Sequence, residues 1–341
     1  MKKPLKIAAI AGGVLIALVA VGAVFGLVRF NFSVAVLTCR TNQEIAPGIR
    51  TEIEDAASRY ADDFFAQRAD GLFDGFTPQL RAITNYEALQ KIIRATGFKP
   101  DSVKDAQIVR VDLIEGVTSG PNTVTCQSSD SLKETRSFAV QPSKRQAYVA
   151  IDGHTVNNDM ELTFWLDGDQ GWKIYGFHLN PATIVGRSVT DFLTQARYER
   201  LKGHSFNAVL LFATARQLMY RGPDVQLAGT ADIGKEFASL SIPKDLPGKE
   251  PVVWQVGDNK YTIVNMSVLG LGGKIYLSVT QYMDSPMSEP DFDRHNKRLI
   301  AEIQKRYPEY SQIFAGMIVG AVEKNRTNIF RTLYEIEPSE K

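Results

Sequence analysis

The apolar run from Ile7 to Val28 constrains this chain more than any other feature. Its roughly 22 residues carry no charge, and at about 1.5 Å of rise per residue they are long enough to cross a bilayer core of ~30 Å as one helix. Lys2, Lys3 and Lys6 precede the run and Arg29 ends it. A cleavable signal peptide has an apolar core of only about 7–15 residues, so the length favours a retained anchor. Ala20-Val21-Gly22 and Ser33-Val34-Ala35 would nevertheless suit a small-x-small cleavage site, and a lipoprotein cut before Cys39 would have to follow the larger Thr38. Positive charge concentrated before the span places the N-terminus in the cytoplasm and the body outside it. The expected location is therefore the cell (inner) membrane, crossed once, with a periplasmic or extracellular body. Gly22 and Gly26 form a G-x-x-x-G pair through which two anchors can pack as a homodimer, a spacing that a Gly/Ala-rich span also produces by chance.

Beyond the anchor the chain has the character of a folded exterior. With 39 Lys+Arg against 38 Asp+Glu it is nearly neutral and has no basic run, which disfavours nucleic acid as a partner. Its two cysteines, Cys39 and Cys126, can pair in an oxidising compartment, fastening the segment after the anchor to a strand, or stay as two partly buried thiols. A bridge closing that loop would contribute roughly 4 kcal/mol in the chain-entropy model. Neither cysteine has a metal-site pattern around it, and no cofactor motif is present. The sequons at Asn31, Asn265 and Asn325 are no more than chance supplies.

From Glu44 the spacing is helical: Ile49, Ile53, Ala56, Ala57, Tyr60 and Phe64 form one stripe, interrupted at Gly71 and Gly75. Thr77-Pro78 reads as an N-cap followed by proline in the first turn, opening a helix that carries Leu80, Leu89, Ile92 and Ile93 and stops at Gly97. Strands are expected at Ile108–Ile114, Thr123–Ser128, Glu134–Gln141 and Arg145–Ile151. A hairpin then joins Met160–Leu166 to Trp172–Leu179 through "DGDQG". Helices followed by a meandering antiparallel sheet imply an α+β fold.

Three segments make that order more specific: "AASRYADDFFAQRADGLFDGFTPQLRAI", "LQKIIRATGFKP" and "FWLDGDQGWKIYGFHLNP". They resemble the small secreted or membrane-attached NTF2-like domains, including the DUF3887-type family, over residues 44–181. The resemblance implies a cone of helices packed on a curved antiparallel sheet. It also implies two kinds of use, because the superfamily holds isomerases and dehydratases with acids or His in the cone alongside domains that only bind or assemble. The shared patterns are of packing, so they bear on fold more than on function. Candidate pocket residues are Asp112, His154, His178, Trp165 and Trp172. Period-two alternation puts His178 on one face with Trp172 and Ile174. A histidine there can carry a proton or bind a ligand, or simply be hydrogen-bonded within the sheet. The tryptophans read as packing, and Asp112 has no evident acid or base partner.

Two helical stripes come next, Ile184–Ala196 and Phe206–Leu218, broken at Gly203, and read as a helical hairpin. "RGPDVQLAG" and "SIPKDLPGKEP" mark irregular connections. Strands at Val252–Val256, Tyr261–Leu269 and Lys274–Tyr282 precede a helix at Pro290–Arg306 capped by Ser288, with Asp291 three residues on. Phe314–Val322 and Ile329–Ile336 complete a small second α+β domain. "LGLGGKI" lacks phosphate-loop spacing and reads as a hairpin turn. His295 has no Cys or His at ligand spacing, and "RHNKR" fits a solvated helix face. The expected organisation is a tail and anchor at 1–30, a stem at 31–43, the NTF2-like domain at 44–181, a helical connector at 182–222 and the second domain at 223–341. Without a catalytic motif, the functional expectation is a membrane-anchored binding or assembly protein of the cell envelope, with an envelope protein or a small apolar ligand as partner. The alternative is an enzyme of isomerase or hydrolase type working in the cone pocket.

Overall fold

A computed structural model describes residues 37–95, 103–116, 122–128, 131–140, 143–155, 158–283, 287–323 and 329–336. The apolar run at 7–28, the Gly22/Gly26 pair, the helix stop at Gly97 and the sequons at Asn31 and Asn325 lie outside these residues. Among the described residues no helix is long and apolar enough to cross a membrane.

The chain enters through a short strand, β1 (Thr38–Thr41), and turns at Asn42–Glu44. Asn42 tolerates the left-handed φ of +46° there, and its side-chain oxygen accepts the Val111 N–H at 3.0 Å. Helix α1 (Pro47–Phe65) buries Ile53, Ala56, Ala57, Tyr60, Ala61 and Phe64 on one stripe. Short helix α2 (Ala69–Asp74) follows where Gly71 and Gly75 suggest only an interruption. These glycines permit close approach. A Cβ at Gly71 would lie 2.1 Å from the Asp63 carboxylate, and one at Gly75 would lie 2.3 Å from the Tyr60 ring.

The single helix expected after Thr77 is two. Thr77 Oγ1 accepts the Leu80 N–H at 3.3 Å and Pro78 opens α3 (Pro78–Ile83). Thr84 is extended, and Asn85 begins α4 (Tyr86–Ala95) by accepting the Ala88 N–H at 2.8 Å. Side chains that bond their own backbone this way favour a cap over helix interior.

Nor do the strands form one meander. Strands β2 (Lys104–Glu115), β5 (Arg145–His154), β6 (Asp159–Asp167) and β7 (Lys173–Pro181) join β1 in an antiparallel sheet ordered β1-β2-β5-β6-β7. Strands β3 (Asn122–Ser128) and β4 (Ser131–Val140) belong to a second sheet, β3-β4-β8. Its third member β8 (Val225–Leu227) comes from the stretch expected to be an irregular connection and pairs with Arg136–Phe138. Helices α1–α4 cover one face of the first sheet, and the second sheet covers the other. There Phe138 packs against Tyr148 and Trp165 with ring centroids 5.0 and 5.1 Å away.

Helices α5 (Val189–Leu201) and α6 (Ser205–Met219) form a hairpin about Gly203, whose φ of +81° favours glycine. They share a core with a third sheet ordered β13-β12-β11-β10-β9. Its members are β9 (Val252–Val256), β10 (Asn259–Leu271), β11 (Lys274–Met283), β12 (Gly316–Glu323) and β13 (Ile329–Glu335). Gly272 and Gly273, both at positive φ, make the two-residue turn between β10 and β11. Helix α8 (Glu289–Arg306) is the crossover that parallel pairing of β11 with β12 requires. Helix α7 (Thr230–Ala238) lies in a stretch with no expected element. The sheet face opposite α6 and α8 carries Val253, Leu269, Tyr282 and Leu333, all exposed. Residues from Leu37 onward cluster as one compact unit, into which β8 and the helical hairpin are woven.

Candidate functional site

Strand alternation and one bulge decide where the expected pocket residues fall. Between Trp165 and Leu166 the β6–β7 register shifts, so Tyr175 is an extra residue. Each residue beyond it changes face. Trp172 and Ile174 are buried under the helices, whereas His178 lies on the side of the second sheet with Trp165 and Thr163. The expected grouping of His178 with Trp172 and Ile174 is therefore corrected. Trp172 itself, at φ +58°, donates its ring N–H to Glu52 at 3.2 Å.

Asp112 is fully buried on the face that meets the second sheet. It accepts from Arg110 Nε and Nη2 at 2.7 and 2.9 Å, a bidentate pair between residues two apart on one strand. Cys39 and Cys126 are joined by a disulfide, with Cα atoms 5.5 Å apart. Their sulfurs and the Asp112 carboxylate lie within 4.8 Å of one another. With both sulfurs bonded and the carboxylate held by Arg110, that trio offers no free thiolate to a cation. His154 is exposed at the end of β5 and faces Asp159 at 2.8 Å, a contact that raises its pKa. Asp112 and His178 sit on strands separated by β5 and β6, roughly 14 Å apart at ~4.8 Å per strand. No two of the expected acids and bases are brought within proton-transfer reach.

His178 has a defined environment nonetheless. Its Nε2 meets Asn180 Oδ1 at 3.1 Å, and its ring lies edge-on to Tyr220 with centroids 5.0 Å apart. Burial lowers its pKa below the ordinary 6.5, opposed by the Asn180 contact and reinforced by Arg221. The unfolded chain therefore takes up this proton before the folded one as pH falls. Stability from His178 is complete above about pH 6.5 and is lost as pH drops through the lower folded value. His178→Gln is expected to shrink the difference between urea midpoints at about pH 7.5 and about pH 5.5, whereas an unchanged difference would contradict this environment.

Beside His178 lies a polar seam that no sequence motif announces. Glu161 is buried and meets Arg221 Nε at 2.8 Å and Arg136 Nη1 at 3.7 Å. Arg221 also donates to the carbonyls of Leu218 and Tyr220 at 2.6 and 3.0 Å. Burial and the neighbouring Glu161 raise the pKa of Asp152, and burial pushes the Tyr148 hydroxyl far up. The seam ties β4, β6 and the end of α6 together. Its carboxylate lies between two guanidinium groups, so it is a fastening. Glu161 shares a face with Trp165 by alternation, which is a signal of a buried charge. Arg221 lies in a loop, where periodicity says nothing.

Open volume lies elsewhere, along β7. This strand is the outer edge of the first sheet. Its beginning is bridged by the segment before α3: the Thr77 N–H donates to the Ile174 carbonyl and the Ile174 N–H to the Gly75 carbonyl, each at 2.8 Å. Beyond that bridge, Gly176–Leu179 has no strand neighbour on its outer side among the described residues. Two adjoining clefts of about 510 and 540 Å³ run along this edge and share Leu80 and Gly176. The first reaches Ser143, Asp167, Tyr175 and Asp224, and the second Ile92, Phe177, His178 and Leu179. Beneath α1–α4, Tyr60, Phe76 and Phe164 are buried, with the Tyr60 and Phe164 centroids 6.0 Å apart, and buried Phe64 forms the inner wall of the second cleft. Comparison with protein-family models, with curated proteins and with solved structures finds no match.

Proposed function

We propose that the chain is a membrane-anchored, extracytoplasmic binding or assembly protein of the cell envelope, whose first domain is NTF2-like. The observation that carries this reading is the distribution of space: the interior beneath α1–α4 is packed with aromatic side chains, and two sizeable clefts open along the β7 edge, the second reaching inward only as far as Phe64. An outer groove suits a partner, whereas acid–base chemistry on a small substrate wants an enclosed pocket with paired titrating groups. Two further features support the location. The uncharged run from Ile7 to Val28 has the length of a membrane span, and a disulfide between Cys39 and Cys126 suits an oxidising compartment. In this reading the span holds the body at the membrane surface and the bridge fastens the stem to the sheets.

The test is isolation of the full chain from detergent-solubilised envelopes after mild cross-linking. An envelope partner should accompany it and be lost when residues of the β7 clefts are changed. Recovery of the chain alone, carrying a small molecule in native mass spectrometry, would favour the enzyme alternative.

A further inference from the structure

We propose that the β7 edge binds an extended segment of a partner protein as an added strand, and that this segment carries a Lys or Arg near Asp167 and Asp224 and an apolar residue near Ile92 and Leu179. This rests on the binding-protein reading above and names the chemistry of the partner. Three independent features select this occupant.

The first is the backbone. An uncovered sheet edge presents N–H and C=O groups that an extended chain can satisfy, which favours a strand over a helix or a compact ligand. Exposed edges are commonly blunted by lysine, proline or a covering loop. Gly176, Phe177, His178 and Leu179 include none of these residues, and Lys173 and Pro181 stand at the two ends of the strand.

The second is exposed apolar surface bordering the same edge. Ile83 is 83% exposed in the first cleft and Ile92 is 45% exposed in the second. Both are on the helices that wall the groove, and a side chain seated against Ile92 and Leu179 would be withdrawn from water.

The third is charge. Asp167 and Asp224 line the first cleft, and neither forms an ion pair among the described residues. Burial holds the Asp224 carboxyl above the usual range with no compensating cation beside it. A guanidinium or ammonium group delivered by the partner would reverse that. Asp167 shares the second-sheet face with Trp165, whereas Leu179 pairs with Leu162 on the helix side, so the basic and apolar residues of the added strand should point to opposite faces and lie about three or five positions apart.

The test uses the full chain in lipid nanodiscs and fluorescein-labelled peptides of alternating Thr and Val ending in Lys, with a Glu-ending peptide as partner probe. The Lys peptide should bind, and it should slow hydrogen exchange at Gly176–Leu179. Asp224→Lys should weaken the Lys peptide at least tenfold and strengthen the Glu peptide, a reversal that an unfolded variant would not produce. Ile92→Asp should weaken both, and Leu333→Asp, on the open face of the third sheet, neither. Equal affinity of wild type and Asp224→Lys, exchange protection away from β7, or no binding of these peptides or of any from a random displayed library would overturn the proposal. Co-isolation of an envelope partner that survives Asp224→Lys and Ile92→Asp but is lost in Leu333→Asp would overturn it too, while leaving the binding-protein reading in place.

Discussion

Replacing Cys39 and Cys126 together by serine is expected to lower the stability of the oxidised protein by roughly 4–5 kcal/mol, the chain-entropy value for a closed loop of this size. The two cysteines are 87 positions apart, and the bond joins β1 to β3, strands that belong to different sheets. Strand β1 is four residues long and pairs with β2 on one side only. Besides the bridge, its ladder with β2, the Arg40–Glu115 ion pair at 3.2 Å and the Asn42 contact to Val111 hold it, all of them to β2, so the stem should fray in the double variant. Urea unfolding of the full chain in detergent, followed by tryptophan fluorescence, measures the loss. Limited proteolysis should in addition cut near Arg40 in the variant and spare it in the oxidised parent. An unchanged midpoint would mean that the bond constrains nothing the sheets do not already hold.

Glu161→Ala is the second large effect, expected to cost about 3–5 kcal/mol, because it leaves two buried guanidinium groups without their shared counter-charge. Arg221 is 9% exposed and reaches Glu161 from the end of α6. The same substitution should therefore loosen the join between the first sheet and the helical hairpin as well as the local packing. Exchange at the β6 and α6 amides should rise together if so. Glu161→Ala combined with Arg221→Met should recover part of the loss, since removing both charges avoids stranding either. A single variant as stable as the parent would contradict a buried seam.

Much of this architecture is legible from local chemistry. Thr77 before Pro78 and Ser288 before Glu289 mark helix starts because their hydroxyls accept backbone N–H groups, those of Leu80 and Asp291, that the first turn leaves over. "DGDQG" and "GLGG" mark turns because positive φ at Gly171, Gly272 and Gly273 is needed there. The features that stay hidden depend on contacts between distant residues. The bulge at Tyr175 leaves alternation in the sequence undisturbed and yet exchanges the faces of the strand, which separates His178 from Trp172. Strands β3 and β4 look like members of one meander, and only their packing on Tyr148 and Trp165 assigns them to another sheet. Gly71 and Gly75 read as helix breakers, whereas they allow α2 to lie close to α1. Strand β8 has three residues inside a Pro/Gly-rich stretch, too short for any period to show.

For the candidate site the balance is different. Asp112 and His178 are visible as polar residues in strands, but the Arg110 that neutralises the first and the bulge that turns the second are tertiary facts. The β7 clefts have no sequence signature, because an edge is defined by the strand that is not beside it.

The most direct test of a tethered body outside the cytoplasm is protease protection. In spheroplasts with an intact inner membrane, added protease should degrade the body while a cytoplasmic marker survives. A body that is cut only after the inner membrane is permeabilised would contradict this topology, and with it the proposed role in the envelope.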